Sequence, residues 1–300
     1  MGAFQSPKEW GPLLTAMVTP MNEDGNVNYG EAEKIAHHLV DAQRNTGIVV
    51  AGTTGESPTL SDDEKFELLR VVLGAVRDKA AVVFGAGTND THHSKELVGG
   101  ATEMGAHGIM LVSPYYNKPS QEGLYQHFKH VASSTDLPVM LYNIQGRTAV
   151  NIETPTLVRL AEDLPNICAV KEASGSLAQA AEVAASVPEG FRLYSGDDIL
   201  TLPILSVGGI GVVSVASHVA GKQIMEMLET FFKSPFEAAA MNRKLVPLVK
   251  AIYCTTSPSP IKYALALSGF DTRQVRLPIV PLNGEQEHVV RSAMSSLGLI

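Results

Sequence analysis

Ile167-Cys168-Ala169-Val170-Lys171-Glu172-Ala173-Ser174-Gly175 carries a short apolar, strand-forming run into a lysine and then into a small Ala-Ser-Gly turn. Read as a buried parallel strand, it places Lys171 at the C-terminal end, where a β/α architecture builds its site. A lysine there is costly to desolvate unless it is paired or neutral. A neutral lysine attacks carbonyls and forms Schiff bases. Taken alone, Lys171 reads as a strand-end lysine whose stem is covered and whose amine reaches solvent. The rest of the chain decides between the two.

The same unit, an apolar run followed by turn residues and an amphipathic helix, recurs on both sides of it. Leu13–Val18 reads as the first strand, and Tyr29–Ala42 follows with Ala32, Ile35, Ala36, Leu39 and Val40 at helical spacing. Gly47–Ala51 is the second strand, ending in Gly52-Thr53-Thr54-Gly55-Glu56-Ser57. Ser61 and Glu64 then form a capping box that opens a helix through Leu68, Leu69, Val72 and Val76. Ala81–Phe84, Ile109–Val112 and Val139–Tyr142 are further strands, with helices expected from about Thr91, Ser120 and Thr154. The Lys171 strand is sixth, Phe191–Tyr194 seventh and Gly211–Val215 eighth. Eight strands alternating with helices give the cadence of a (β/α)8 TIM barrel, which takes ~250 residues. An open doubly wound sheet is the rival, with fewer strands. Residues 1–233 are assigned to the catalytic barrel. Residues 234–300 are assigned to a C-terminal helical appendage of about three helices: Ala238–Ile252, Pro260–Leu267 and Glu285–Leu297.

Bulk composition narrows the function. Of 300 residues, 45% are hydrophobic, enough for a large core. With 23 Lys+Arg against 31 Asp+Glu, the net charge is −8, which argues against nucleic acid and anionic lipid as partners. The cysteines, Cys168 and Cys254, form neither a disulfide framework nor a zinc pattern. Met1–Trp10 lacks the apolar core of a signal peptide, and no run is long enough to span a membrane. A soluble protein of a reducing compartment, the cytoplasm, is expected.

In a barrel the polar residues that follow each strand converge on one rim. Here they are Thr53 and Thr54 after strand two, Tyr115 and Tyr116 after strand four, and Tyr142 ending strand five. Arg147, Lys171, and Ser195 with Gly196 complete the set. It holds no His/Cys/Asp/Glu cluster at ligand spacing, so no metal is expected. The His92/His93 and His127/His130 pairs read as solvated helix faces. Gly85-Ala86-Gly87 and Gly208-Gly209-Ile210-Gly211 lack a phosphate-loop pattern and read as turns. A lysine nucleophile, hydroxyls that relay protons and one arginine for a carboxylate are the parts of carbonyl chemistry through an imine.

Four motifs, in order and at matching spacing, extend that reading: Gly52–Ser57, Tyr115-Tyr116-Asn117-Lys118-Pro119, Tyr142-Asn143 with Gly146-Arg147-Thr148, and Val170–Gly175. Through them the whole chain resembles the dihydrodipicolinate synthase (4-hydroxy-tetrahydrodipicolinate synthase) family of pyruvate-dependent, class I aldolase-like lyases. The resemblance implies condensation of pyruvate with L-aspartate 4-semialdehyde in lysine (diaminopimelate) biosynthesis, with no external cofactor. It implies that Lys171 forms the pyruvate imine and that Tyr142 moves protons with Thr53 and with Tyr116 of a neighbouring subunit. Thr54, Gly196 and Val213 then line the pyruvate pocket, and Arg147 takes the second substrate's carboxylate. The shared tyrosine implies an oligomer, and the resemblance implies a homotetramer built as a dimer of dimers.

Two departures from the family pattern stand out. Gln145 occupies a position where the family usually has proline, which would stiffen the loop that aims Arg147. Lysine-sensitive members bind lysine at residues corresponding to Ser57, Asn89 and Tyr115, together with a histidine and a glutamate. Here those last two are Lys65 and His93. Loss of the glutamate and gain of a like charge imply weak or absent lysine inhibition. Competing readings are a sister lyase acting on N-acetylneuraminate or 2-keto-3-deoxy sugar acids, a catalytically silent binding or regulatory relative, and a phosphate-handling isomerase.

Overall fold

Each of the eight apolar runs forms a short strand in the computed structural model, which describes residues 10–300. The strands are β1 (Leu13–Ala16), β2 (Gly47–Val50), β3 (Ala81–Gly85), β4 (Gly108–Val112), β5 (Val139–Asn143), β6 (Ile167–Glu172), β7 (Arg192–Ser195) and β8 (Gly211–Ser214). They close in sequence order into a barrel. Pairing is parallel between β1 and β2 and from β3 through β8. Helices cover the outer face and side chains fill the inner one, so nearly every strand residue is buried. That explains why the strands read as apolar runs rather than alternating patterns. The TIM-barrel expectation holds.

The helices that follow the strands are α1 (Tyr29–His37), α2 (Asp62–Val76), α3 (Thr91–Glu103), α4 (Gln121–Ala132), α5 (Gln145–Thr148), α6 (Thr154–Asp163), α7 (Leu177–Ser186), α8 (Thr201–Ser206) and α9 (Ser217–Phe231). After β8 and α9 come α10 (Pro235–Ala251), α11 (Ser259–Leu267) and α12 (Gly284–Ser296), close to the three helices read from the sequence. The Ser61/Glu64 capping box is present in both directions and opens α2. By packing, the chain divides into two compact units, Met1–Val82 with Ser214–Ile300, and Val83–Val213.

Three local expectations need correction. The helix expected over Tyr29–Ala42 ends as an α-helix at His37 and continues as a π-helical turn over His38–Ala42. The stretch after β5, read as loop, winds into α5. His127 is not on a solvated face: it is buried against Phe128, its Nδ1 meets the Thr91 hydroxyl at 2.9 Å, and its Nε2 has no partner. Burial lowers its pKa to about 4, so the ring is neutral. Residues 1–9, most of the segment read for a signal peptide, lie outside the described residues. Among the described residues no helix is long and apolar enough to cross a membrane.

Candidate active site

Lys171 stands one residue before the end of β6, with only 4% of its surface exposed. Strand register sets it beside Tyr142 of β5, and its Nζ lies 4.1 Å from the Tyr142 ring centroid. Desolvation is the main force on the amine and lowers its pKa from 10.5 to about 7. The Asp198 carboxylate opposes that shift and the Arg147 guanidinium adds to it. The result is an amine that is substantially neutral at neutral pH, as a carbonyl nucleophile requires.

The Ala173 and Lys171 side chains crowd this corner, so that position 196 takes a glycine. A Cβ there would stand 2.8 Å from Ala173 Cβ and 3.0 Å from Lys171 Cγ. The Gly196 N–H donates to Glu172 O at 2.7 Å, tying β7 to the residue after the lysine. Val213 sits buried in β8.

Arg147 is carried on α5, exposed, with no carboxylate among the described residues paired to it. Its loop is pinned to the Lys171 strand through side chains that the sequence reading passed over. Glu172 is buried and accepts from Asn143 Nδ2 at 3.0 Å and from Ser174 N–H at 2.6 Å. Asn143 Nδ2 also donates to Asn151 Oδ1 at 2.8 Å, and Asn143 Oδ1 accepts the Ile152 N–H at 3.0 Å. Gln179 closes the set, accepting from Asn151 Nδ2 and donating to Ile152 O. The signal for Glu172 was its place: an acid in an apolar strand, next to the lysine. Asp198 gave a weaker signal, as one of two adjacent acids after β7.

Thr53 and Thr54 follow β2 in a tight turn closed by Gly55 N–H to Gly52 O and Glu56 N–H to Thr53 O. Thr54 is buried and Thr53 half-buried. Tyr116 is 90% exposed and adopts a positive φ of 76°. A bulky side chain in that region is strained, and such residues gather at functional sites. Tyr115 is half-buried, and a backbone hydrogen bond with Asn89 opposes the upward push of burial on its hydroxyl. Ser57 opens the turn into the next helix, and Lys65, on α2, is buried with its Nζ 3.0 Å from Asp62. His93 is half-buried on α3. No group of three or more metal-ligating side chains exists among the described residues.

A model of the dihydrodipicolinate synthetase family matches residues 9–297. The chain belongs to this family. The 4-hydroxy-tetrahydrodipicolinate synthase of Moorella thermoacetica is 50% identical over 97% of this chain and 100% of its own length. That of Desulforamulus reducens is 48% identical over 98% of this chain and 100% of its own. A crystal structure of dihydrodipicolinate synthase from Cyanidioschyzon merolae with lysine bound superposes with a TM-score of 0.95. It is 45% identical and covers 97% of this chain and 99% of its own.

The family reading made from four motifs therefore holds over residues 9–297. The lyase activity expected from them is the one these relatives are named for, not that of a sugar-acid lyase or a phosphate isomerase. Within one compact unit the fold brings together Lys171, Tyr142, Arg147 and Gly196. Thr53 and Thr54 belong to the other.

Proposed function

We propose that the protein condenses pyruvate with L-aspartate 4-semialdehyde through an imine on Lys171, in the diaminopimelate route to lysine. The observation that carries this is the buried Lys171 amine against the Tyr142 ring, its pKa lowered by desolvation to about 7. The amine adds to the ketone carbon of pyruvate and the adduct loses water, leaving the iminium. That cation is the electron sink when a methyl proton leaves to the Tyr142 side. The resulting enamine forms a carbon–carbon bond to the aldehyde carbon, whose oxygen takes up a proton. The amine of the second substrate then displaces Lys171, closing the ring and freeing the lysine.

Thr53 relays protons with Tyr142, Thr54 holds the pyruvate carboxylate, and Gly196 and Val213 line the pocket. Arg147, exposed and without a carboxylate partner, receives the second carboxylate. Tyr116 completes the relay of a neighbouring subunit in a homotetramer, a dimer of dimers. Its near-total exposure and strained backbone support that role. No external cofactor enters this scheme, and the enzyme works in the cytoplasm. Residues 1–233 form the catalytic barrel and 234–300 the appendage. The lysine-binding positions Ser57, Lys65, Asn89, His93 and Tyr115 are degenerate, because His93 replaces the glutamate that would pair with the ligand's ammonium and Lys65 adds a like charge.

Borohydride reduction in the presence of pyruvate, with peptide mass mapping, tests the scheme. A pyruvate adduct on Lys171 supports it; an unmodified Lys171, or an adduct elsewhere, defeats it. Cleavage of N-acetylneuraminate without semialdehyde condensation would replace it with the sister activity.

A further inference from the structure

Lys262 and Glu56 form an ion pair with almost no exposed surface: 0% and 1% of their side chains. Lys262 lies on α11, far from the barrel strands in sequence, and Glu56 is the last residue of the turn that carries Thr53 and Thr54. Glu56 takes the left-handed conformation, φ 58° and ψ 32°, which an L side chain adopts only when its surroundings impose it. Its carboxylate is buried. Oε1 accepts from Lys262 Nζ at 2.5 Å and Oε2 accepts the Arg276 N–H at 2.9 Å.

Both partners are themselves fixed. Lys262 Nζ donates a second time, to Gln274 O at 2.6 Å, and the Thr272 hydroxyl donates to Lys262 O at 2.6 Å. Arg276 reaches over the same turn, donating to Thr59 O at 2.7 Å and to Gly25 O at 2.8 Å, and it pairs with both oxygens of Glu64. From the barrel side the Thr19 hydroxyl donates to Gly55 O at 2.7 Å. The Thr53-Thr54 turn is thus gripped by the connector between α11 and α12.

A buried ion pair is poor evidence for stability, because desolvating two charges offsets their attraction and an apolar pair would fill the space as well. What an apolar pair cannot supply is direction. Two short charge-assisted bonds to one carboxylate fix the rotation of the turn that bears it. Burial pulls the Lys262 pKa down while Glu56 holds it up, in keeping with a charged pair maintained at a cost.

We propose that Lys262 and Glu56, braced by Arg276, are positioning residues for pyruvate: they set the aim of Thr53 and Thr54. This rests on the reading of those threonines as pyruvate-site residues. Lys262→Met, in purified enzyme whose fold is checked by circular dichroism and thermal melting, is expected to raise KM for pyruvate about tenfold and to slow imine formation. KM for the semialdehyde should stay within about twofold, since its carboxylate is assigned to Arg147. The double variant Glu56→Gln with Lys262→Met leaves no unpaired buried charge, so its melting temperature should recover while KM for pyruvate does not. A folded single or double variant with wild-type KM for pyruvate overturns the proposal.

Hydrogen exchange on the wild-type enzyme decides the matter whether or not the variants fold. Pyruvate should slow exchange in 272–276 as well as in 52–60; slowing in 52–60 alone also overturns the clamp. Failure of the wild-type enzyme to form a Lys171 adduct counts against the catalytic scheme instead. A normal adduct with unaltered variant kinetics counts against the clamp alone.

Discussion

Lys171 departs from an ordinary lysine because its amine has lost its water, not because a second cation crowds it: desolvation outranks Arg147 among the causes. The sign follows directly. A lysine with the usual value of 10.5 is neutral about once in three thousand at pH 7, whereas Lys171, at about 7, is neutral about half the time. The rate of imine formation is therefore expected to climb from pH 6, level off above about pH 8, and show a midpoint near 7. Cyanoborohydride trapping across that range measures it; a midpoint above 9 contradicts the burial argument. Gly196 makes the second residue-scale prediction. Its replacement by alanine forces Cβ against Lys171 Cγ and Ala173. We expect a loss of about 1–3 kcal/mol in stability and a more than tenfold fall in turnover, read by denaturant unfolding and steady-state assay. Unchanged turnover would show that the corner yields without moving the lysine.

At the scale of an element, α5 alters the significance of Gln145. As a loop, the stretch after β5 lacks the proline that would stiffen the aim of Arg147. As a helical turn it is held by Arg147 N–H and Thr148 N–H to Ile144 O and Ala149 N–H to Gln145 O. Gln145 is the first helical residue, where proline is tolerated, and Ile144 before it has φ −143° and ψ 76°, outside the helical region that proline disfavours. Gln145→Pro is therefore expected to raise stability by about 0.4–1 kcal/mol and to leave turnover within about twofold. Thermal melting and a steady-state assay check it; clear destabilisation means the turn needs the glutamine. Helix starts such as Ser61/Glu64 were legible because the cap lies within four residues of sequence. The π-helical end of α1 was not: Ile35, Ala36 and Leu39 fit a plain helix, and the register slip there leaves no mark in their spacing.

On the scale of the whole molecule, the expected response to lysine turns on residues drawn from distant segments. Lys65 is already buried and paired with Asp62, so its charge is held in place by the fold itself. Inhibition by lysine is expected to be weak or absent. Half-inhibition at sub-millimolar lysine in a steady-state assay would sink that expectation, and Lys65→His with His93→Glu should strengthen inhibition at least tenfold. The sequence by itself determined the barrel and the family and singled out Lys171 as the candidate nucleophile, because apolar periodicity, turn residues and the four motifs are local and survive being read in order. Only the tertiary structure decided how those residues are held. The lowered pKa of the Lys171 amine, the Glu172–Asn143–Asn151 brace behind Arg147 and the Lys262–Glu56 pair each join residues separated by between about ten and two hundred positions. Desolvation and directional hydrogen bonds arise only after those segments meet, so no reading of neighbours along the chain contains them.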